Sequence, residues 1–193
     1  MKNNLESTTI ATFALLFSSI ILLPVHGQPF DVGNKNLNMT IGMGTPWVLY
    51  NDYKTVLPPV TASFDYGIRD DIGPGILSIG GVMAATTYKD SKTTPDDYGY
   101  KSTTLIMALR STYHYQLVNK LDTYGGIHLG MRMEMWKEYG DFPPAYETMD
   151  DLRLRPMMSL FGGAKYYFTD NIAAMLELGF SIAFINAGIC IKL

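Results

Sequence analysis

The chain has 193 residues, of which 47% are hydrophobic, 12% aromatic and 17% charged, with a mean hydropathy of +0.05. That is too polar for a bundle of membrane helices and too apolar for a disordered chain. A formal net charge of −3 leaves no basic footprint for nucleic acid, and the single cysteine, Cys190, excludes both an internal disulfide framework and a multi-thiolate metal site.

Residues 1–27 read as a secretory leader. Lys2 precedes an uncharged apolar run over residues 10–23, Pro24 breaks it, and Val25 and Gly27 sit at −3 and −1 of a cleavage point. The competing reading is an uncleaved anchor, but the run is short for a spanning helix of about 20 residues. Export leaves a second unit, residues 28–193, as one β domain.

That unit alternates with period 2, the signature of strands with one oily and one polar face. Over residues 36–44, Leu37, Met39, Ile41 and Met43 oppose Asn36, Asn38, Thr40 and Gly42. Over 60–69, Val60, Ala62, Phe64, Tyr66 and Ile68 oppose Thr61, Ser63, Asp65, Gly67 and Arg69. Residues 75–87 follow more weakly. Over 104–115, Leu105, Met107, Leu109, Tyr113 and Tyr115 oppose Thr104, Ala108, Arg110, Thr112 and His114, with Ile106 as the exception. The clearest run is 126–136, where Ile127, Leu129, Met131, Met133 and Met135 oppose Gly126, His128, Gly130, Arg132 and Glu134. Residues 154–168, 173–181 and 185–193 complete eight strands.

Strands of about 9–11 residues match the apolar thickness of a bilayer. The connections at 47–57, 88–98 and 137–151 are long and polar, whereas those at 70–73, 117–121 and 169–171 are tight. The connection near 181–184 reads as a tight hairpin. Long loops on one side and turns on the other describe an eight-stranded, antiparallel, up-and-down transmembrane β-barrel with its long loops extracellular. Its oily faces meet lipid, and its polar faces fill a narrow bore. Buried charge needs partners, so Asp65, Glu134 and Glu177 are expected to pair with Arg110, Arg132, Lys165 and Lys192 in a lumen network that includes His128. Arg132 with Glu134 or Glu177 is the candidate gate. Tyr50, Tyr113, Tyr115, Trp136, Tyr139 and Phe168 are expected in interfacial girdles.

The block FGGAKYYFTDNIAAMLELGF at residues 161–180, followed by INAGICIKL, resembles the end of small outer-membrane β-barrel proteins of the Bacteroidetes type, within the OmpA/OmpX-like porin superfamily. DYGIRDDIGPGILSIGG at 65–81 and YHYQLVNKLDTYGGIHLG at 113–130 resemble the same group. The resemblance implies an outer-membrane barrel with no fixed activity, and a terminal strand read by the outer-membrane assembly machinery. It departs at Leu193, where an aromatic is usual. It also implies outer-membrane lipids and lipopolysaccharide as surroundings.

Catalytic and cofactor signals are thin. The two histidines after the leader, His114 and His128, fall on inward faces, not together with Ser and Asp at an outer rim. No metal spacing or phosphate loop appears. Asp96–Asp97 and Asp150–Asp151 are loop acid pairs that either touch Ca²⁺, bridge lipopolysaccharide through divalent ions, or remain solvated. Asn38-Met39-Thr40, a formal glycosylation sequon, lies within a strand. The expected function is therefore a non-catalytic barrel serving the envelope or contacting a partner through its loops. The alternatives are a narrow pore or transporter for a small solute, and a soluble binder with its oily faces turned inward.

Overall fold

The computed structural model describes residues 30–45, 53–90, 98–140 and 151–193. The leader at 1–27, Tyr50, Asp96, Asp97 and Asp150 lie outside these residues. Eight strands run in sequence: β1 (Lys35–Met43), β2 (Tyr53–Arg69), β3 (Ile76–Asp90), β4 (Tyr98–Val118), β5 (Leu121–Gly140), β6 (Asp151–Tyr167), β7 (Ile172–Gly179) and β8 (Ile185–Lys192). Each pairs antiparallel with the next, and β8 pairs back onto β1 from Asn36↔Lys192 to Met43↔Ile185, closing the barrel. Closure matters physically, because an open strand edge has no hydrogen-bond partner in hydrocarbon.

The two faces part as the alternation dictates. On β5 and β7, Met131 and Leu178 are 39% and 53% exposed, whereas the adjacent Arg132 and Glu177 are 7% and 6%. A soluble binder with an oily bore would show the reverse, so that alternative is excluded. Among the described residues, nothing covers the belt of Leu, Ile, Met and Phe around the wall. Bilayer hydrocarbon is the solvent that suits it. Inside, Gly80 lets strands approach closely: a side-chain carbon there would collide with the Phe64 carbonyl.

Strand length departs from expectation. β2 to β6 run 15–21 residues, while β1, β7 and β8 run only 8–9. The segments 53–57, 88–90 and 137–140, expected as loop, belong to β2, β3 and β5. The reason is chemical. Above the belt both faces are wet, so Lys101, Ser102, Lys137 and Glu138 lose the oily alternation while the backbone ladder continues. The barrel therefore has a tall wall, β2–β6, and a low wall, β7–β8–β1.

The short connections and both strand termini Lys35 and Lys192 share one end, the turn end; the long connections mark the loop end. At the turn end, Arg69 binds Asp71 through two hydrogen bonds of 2.8 and 2.6 Å, which hold the Asp71 carboxyl below its usual range. The β4–β5 turn places Lys120 at φ 64°, a left-handed conformation that a side chain disfavours. Lys120→Gly is expected to stabilise the barrel by about 1 kcal/mol, read as a higher urea midpoint in vesicles. An unchanged or lower midpoint would show that the Lys120 side chain repays its strain.

The aromatic girdle is partly redrawn. Tyr115, Tyr166 and Phe168 are exposed at the turn end, with Tyr166 and Phe168 edge to face at 5.4 Å. Tyr113 turns its hydroxyl onto the Ile72 carbonyl at 2.8 Å. Trp136 departs from expectation: it pairs with Ser102 and Asp151 on the inward register that also carries Arg132 and Glu134, so it belongs to the lumen side of the tall wall. An aromatic near a strand end faces lipid only when it falls in step with the belt residues of its own strand.

Candidate functional site

The lumen is filled in layers, each dictated by the inward residues at one height. The middle layer is ionic. Asp65 on β2 accepts from Arg110 Nε at 2.8 Å and from Lys165 Nζ at 3.2 Å. It also accepts from Asn38 Nδ2 at 2.9 Å. Arg110 reaches across the bore from β4 to Glu177 on β7, with Nη2 2.8 Å from Oε2, and its Nη1 lies 3.0 Å from His128 Nε2. Tyr124 donates to the same Glu177 oxygen at 3.2 Å. The Phe161 ring lies 3.9 Å beneath the Arg110 guanidinium and stacks on His128 at 4.2 Å. Two carboxylates thus face two cations; Asp65, Arg110 and Glu177 each have a further polar partner, and Lys165 Nζ lies 4.9 Å over the Tyr124 ring. This is the condition under which buried charge is tolerated.

Five of the residues expected to meet do so here: Asp65, Arg110, His128, Lys165 and Glu177. The other three lie elsewhere. Arg132 pairs with Glu134 at 3.1 Å nearer the loop end, where Arg155 also approaches Glu134 at 3.9 Å. Glu177, the other partner considered for Arg132, is taken by Arg110. Lys192 is half-buried at the turn end, 3.2 Å from the Asn34 side-chain amide. Asn38, Tyr124 and the stacked Phe161 complete the layer, and their roles depend on cross-bore geometry that strand alternation does not encode.

A second polar layer sits toward the turn end. His114 Nδ1 lies 2.8 Å from Asp122 Oδ2, and its Nε2 lies 3.1 Å from Ser78 Oγ. This hydroxyl–imidazole–carboxylate order is that of a hydrolase relay. Its surroundings are not those of one. All three side chains are buried, and Ser78 also donates to the Thr112 carbonyl at 3.3 Å. Phe30 covers the imidazole face, stacked at 4.0 Å. Beside this layer, Asn36 donates to the Tyr167 hydroxyl at 3.0 Å, and Cys190 is buried against the same oxygen.

Both mouths carry apolar stoppers. At the turn end, Phe30 is 2% exposed, and the segment behind it is anchored where Gly33 N and Gly67 O bond at 2.9 Å and Gly67 N and Asn34 O at 3.0 Å. Gly67 is required there because a side-chain carbon would strike the Asp31 carbonyl. At the loop end, the connection between β7 and β8 bends into the bore. Ile182 and Ala183 pack with Ala84, Ile106 and Met157. Ile106, the lone oily residue on the polar face of β4, is there to meet this stopper. The hairpin expected at 181–184 is therefore a lid, held by a 2.9 Å bond from Phe184 N to Gly44 O.

Phe30→Ala is expected to admit water to His114, raising its reactivity toward diethyl pyrocarbonate in the folded protein severalfold. An unchanged rate would show that the turn-end mouth is closed by something other than Phe30.

No family model matches the chain, and no curated protein does. Solved structures of similar shape include Ail, the attachment invasion locus protein of Yersinia pestis, in complex with the heparin analogue sucrose octasulfate; it is 9% identical over 83% of this chain and 96% of that one, with a TM-score of 0.49. The N-terminal β-barrel domain of Pseudomonas aeruginosa OprF is 14% identical over 85% and 100% of the two chains, with a TM-score of 0.44. A de novo designed transmembrane β-barrel is 12% identical over 85% and 98%, with a TM-score of 0.41. At these values the fold rests on the strand order and register described above.

Proposed function

We propose that this chain is a small integral outer-membrane β-barrel, exported by a leader cleaved after residue 27, with residues 28–193 as the mature barrel. It acts without catalysis, in envelope integrity or in surface contact made by its loop end. The terminal block at 161–180 supports placing it with barrels of the Bacteroidetes type. Lipid and lipopolysaccharide surround the belt, and the assembly machinery reads the last strand.

One observation carries this reading: the packing is inside out and sealed. Aliphatic side chains form the exterior, the ion network occupies the centre, and Phe30 and the Ile182–Ala183 lid stop the two ends. An eight-stranded bore is just filled by side chains, and here the filling is bonded across the lumen, which disfavours the pore or transporter reading.

Gel mobility tests the barrel. A closed membrane barrel left unboiled in SDS migrates apart from the boiled chain, and identical bands would end the reading. Planar-bilayer recording tests the function. The expected result is no resolved conductance, and discrete unitary currents would establish the pore instead.

A further inference from the structure

The outer surface of the tall wall carries a charge pattern that the fold itself does not need. Lys54 pairs with Lys89, Lys89 with Lys101, and Lys101 with Lys137, each directly across the ladder. Directly opposed residues share a face, and like charges so placed destabilise a sheet. Strands lie about 4.8 Å apart, so the row spans about 14 Å of wall.

Its height is informative. One step below stand Thr87, Thr103 and Met135, and below them the aliphatic belt begins at Ala85, Leu105 and Met133. The ammonium groups therefore stand at the upper boundary of the apolar surface, facing sideways into the membrane plane. Lys54, Lys101 and Lys137 are exposed, while Lys89 lies 4.0 Å over the Tyr139 ring. Lysine stems lie along an apolar wall and hold their charge at the polar boundary. Among the described residues, the low wall has no cation at that rim: its strands end there in Met43, Gly179 and Ile185. A soluble polyanion has no reason to prefer a lateral face at belt height; a phosphorylated head group resides there.

We propose that Lys54, Lys89, Lys101 and Lys137 form a binding site for the phosphate groups of outer-leaflet lipid. The row neutralises its own repulsion by bridging those phosphates and seats the tall wall in that leaflet. The site rests on the outer-membrane reading above. Each lysine beside an anionic surface contributes about fivefold in affinity, so removing four charges abolishes a measurable preference.

The experiment uses the full mature chain in phosphatidylcholine nanodiscs, with or without diphosphoryl lipid A, and reads the thermal unfolding midpoint. Wild type is compared with the quadruple variant K54Q/K89Q/K101Q/K137Q and with the corresponding quadruple Lys→Arg variant. Lipid A is expected to raise the midpoint of wild type and of the Arg variant, but not of the Gln variant. In phosphatidylcholine alone the Gln variant matches or exceeds wild type, because repulsion is relieved. Dephosphorylated lipid A and inorganic phosphate leave wild type unchanged. An equal gain in the Gln variant, or a gain reproduced by either control, overturns the site while leaving the barrel reading intact. A wild-type chain that enters neither disc overturns the membrane reading and the site with it.

Discussion

Arg110→Met should lower unfolding stability by about 3–5 kcal/mol, the usual consequence of leaving a buried charge without its partner. Arg110 is the hinge of the lumen charge balance: it joins Asp65 on one side to Glu177 on the other, at 2.8 Å each. Without it, Asp65 keeps Lys165 at 3.2 Å, but among the described residues Glu177 keeps only the Tyr124 hydroxyl. The middle layer then holds two carboxylates and one cation. Adding Glu177→Gln restores parity as Asp65 against Lys165, so the double variant should be more stable than Arg110→Met alone. Urea unfolding in vesicles reads both. A double variant that falls by the sum of the two single losses would show that the network is not coupled. The pair Arg132 and Glu134 should matter less, because Arg155 also faces Glu134 and remains after Arg132→Leu.

The second large effect lies on the opposite face. Leu129 is 58% exposed on β5, within the aliphatic belt. Leu129→Arg puts a guanidinium into hydrocarbon, at an expected cost of about 2–4 kcal/mol near mid-membrane. Refolding into lipid as stable as the parent's would mean that the belt does not meet hydrocarbon. The two variants make a pair: one removes an arginine from the centre and the other adds one to the perimeter, and both should weaken the barrel.

The sequence makes the faces legible because lipid enforces a sharp contrast along each strand. Met131 beside Arg132 and Leu178 beside Glu177 leave one orientation open, and eight such runs with alternating loop lengths leave one topology. The contrast ends at the rim. Lys101, Ser102 and Glu138 are wet on either side, so the extension of β4 and β5 has no hydropathy signal. Partner choice inside the bore was legible only as charge balance. Arg110 meets Glu177 because the bore brings β4 opposite β7, and no local spacing expresses that. Phe30 is the least legible feature. It lies between the leader and the first strand in what reads as spacer, and its stacking on His114 appears only when the chain folds back at Gly67. Ile106 was visible as an anomaly, and its partner Ile182 explains it.

The uneven rim has a directional consequence. A cylinder cut on the slant is not equivalent to all approaches in the membrane plane. At the loop end, β2–β6 stand as a parapet above the shorter β7, β8 and β1. The concave inner surface of that parapet carries Trp136 and Arg153. That asymmetry is built into strand length alone.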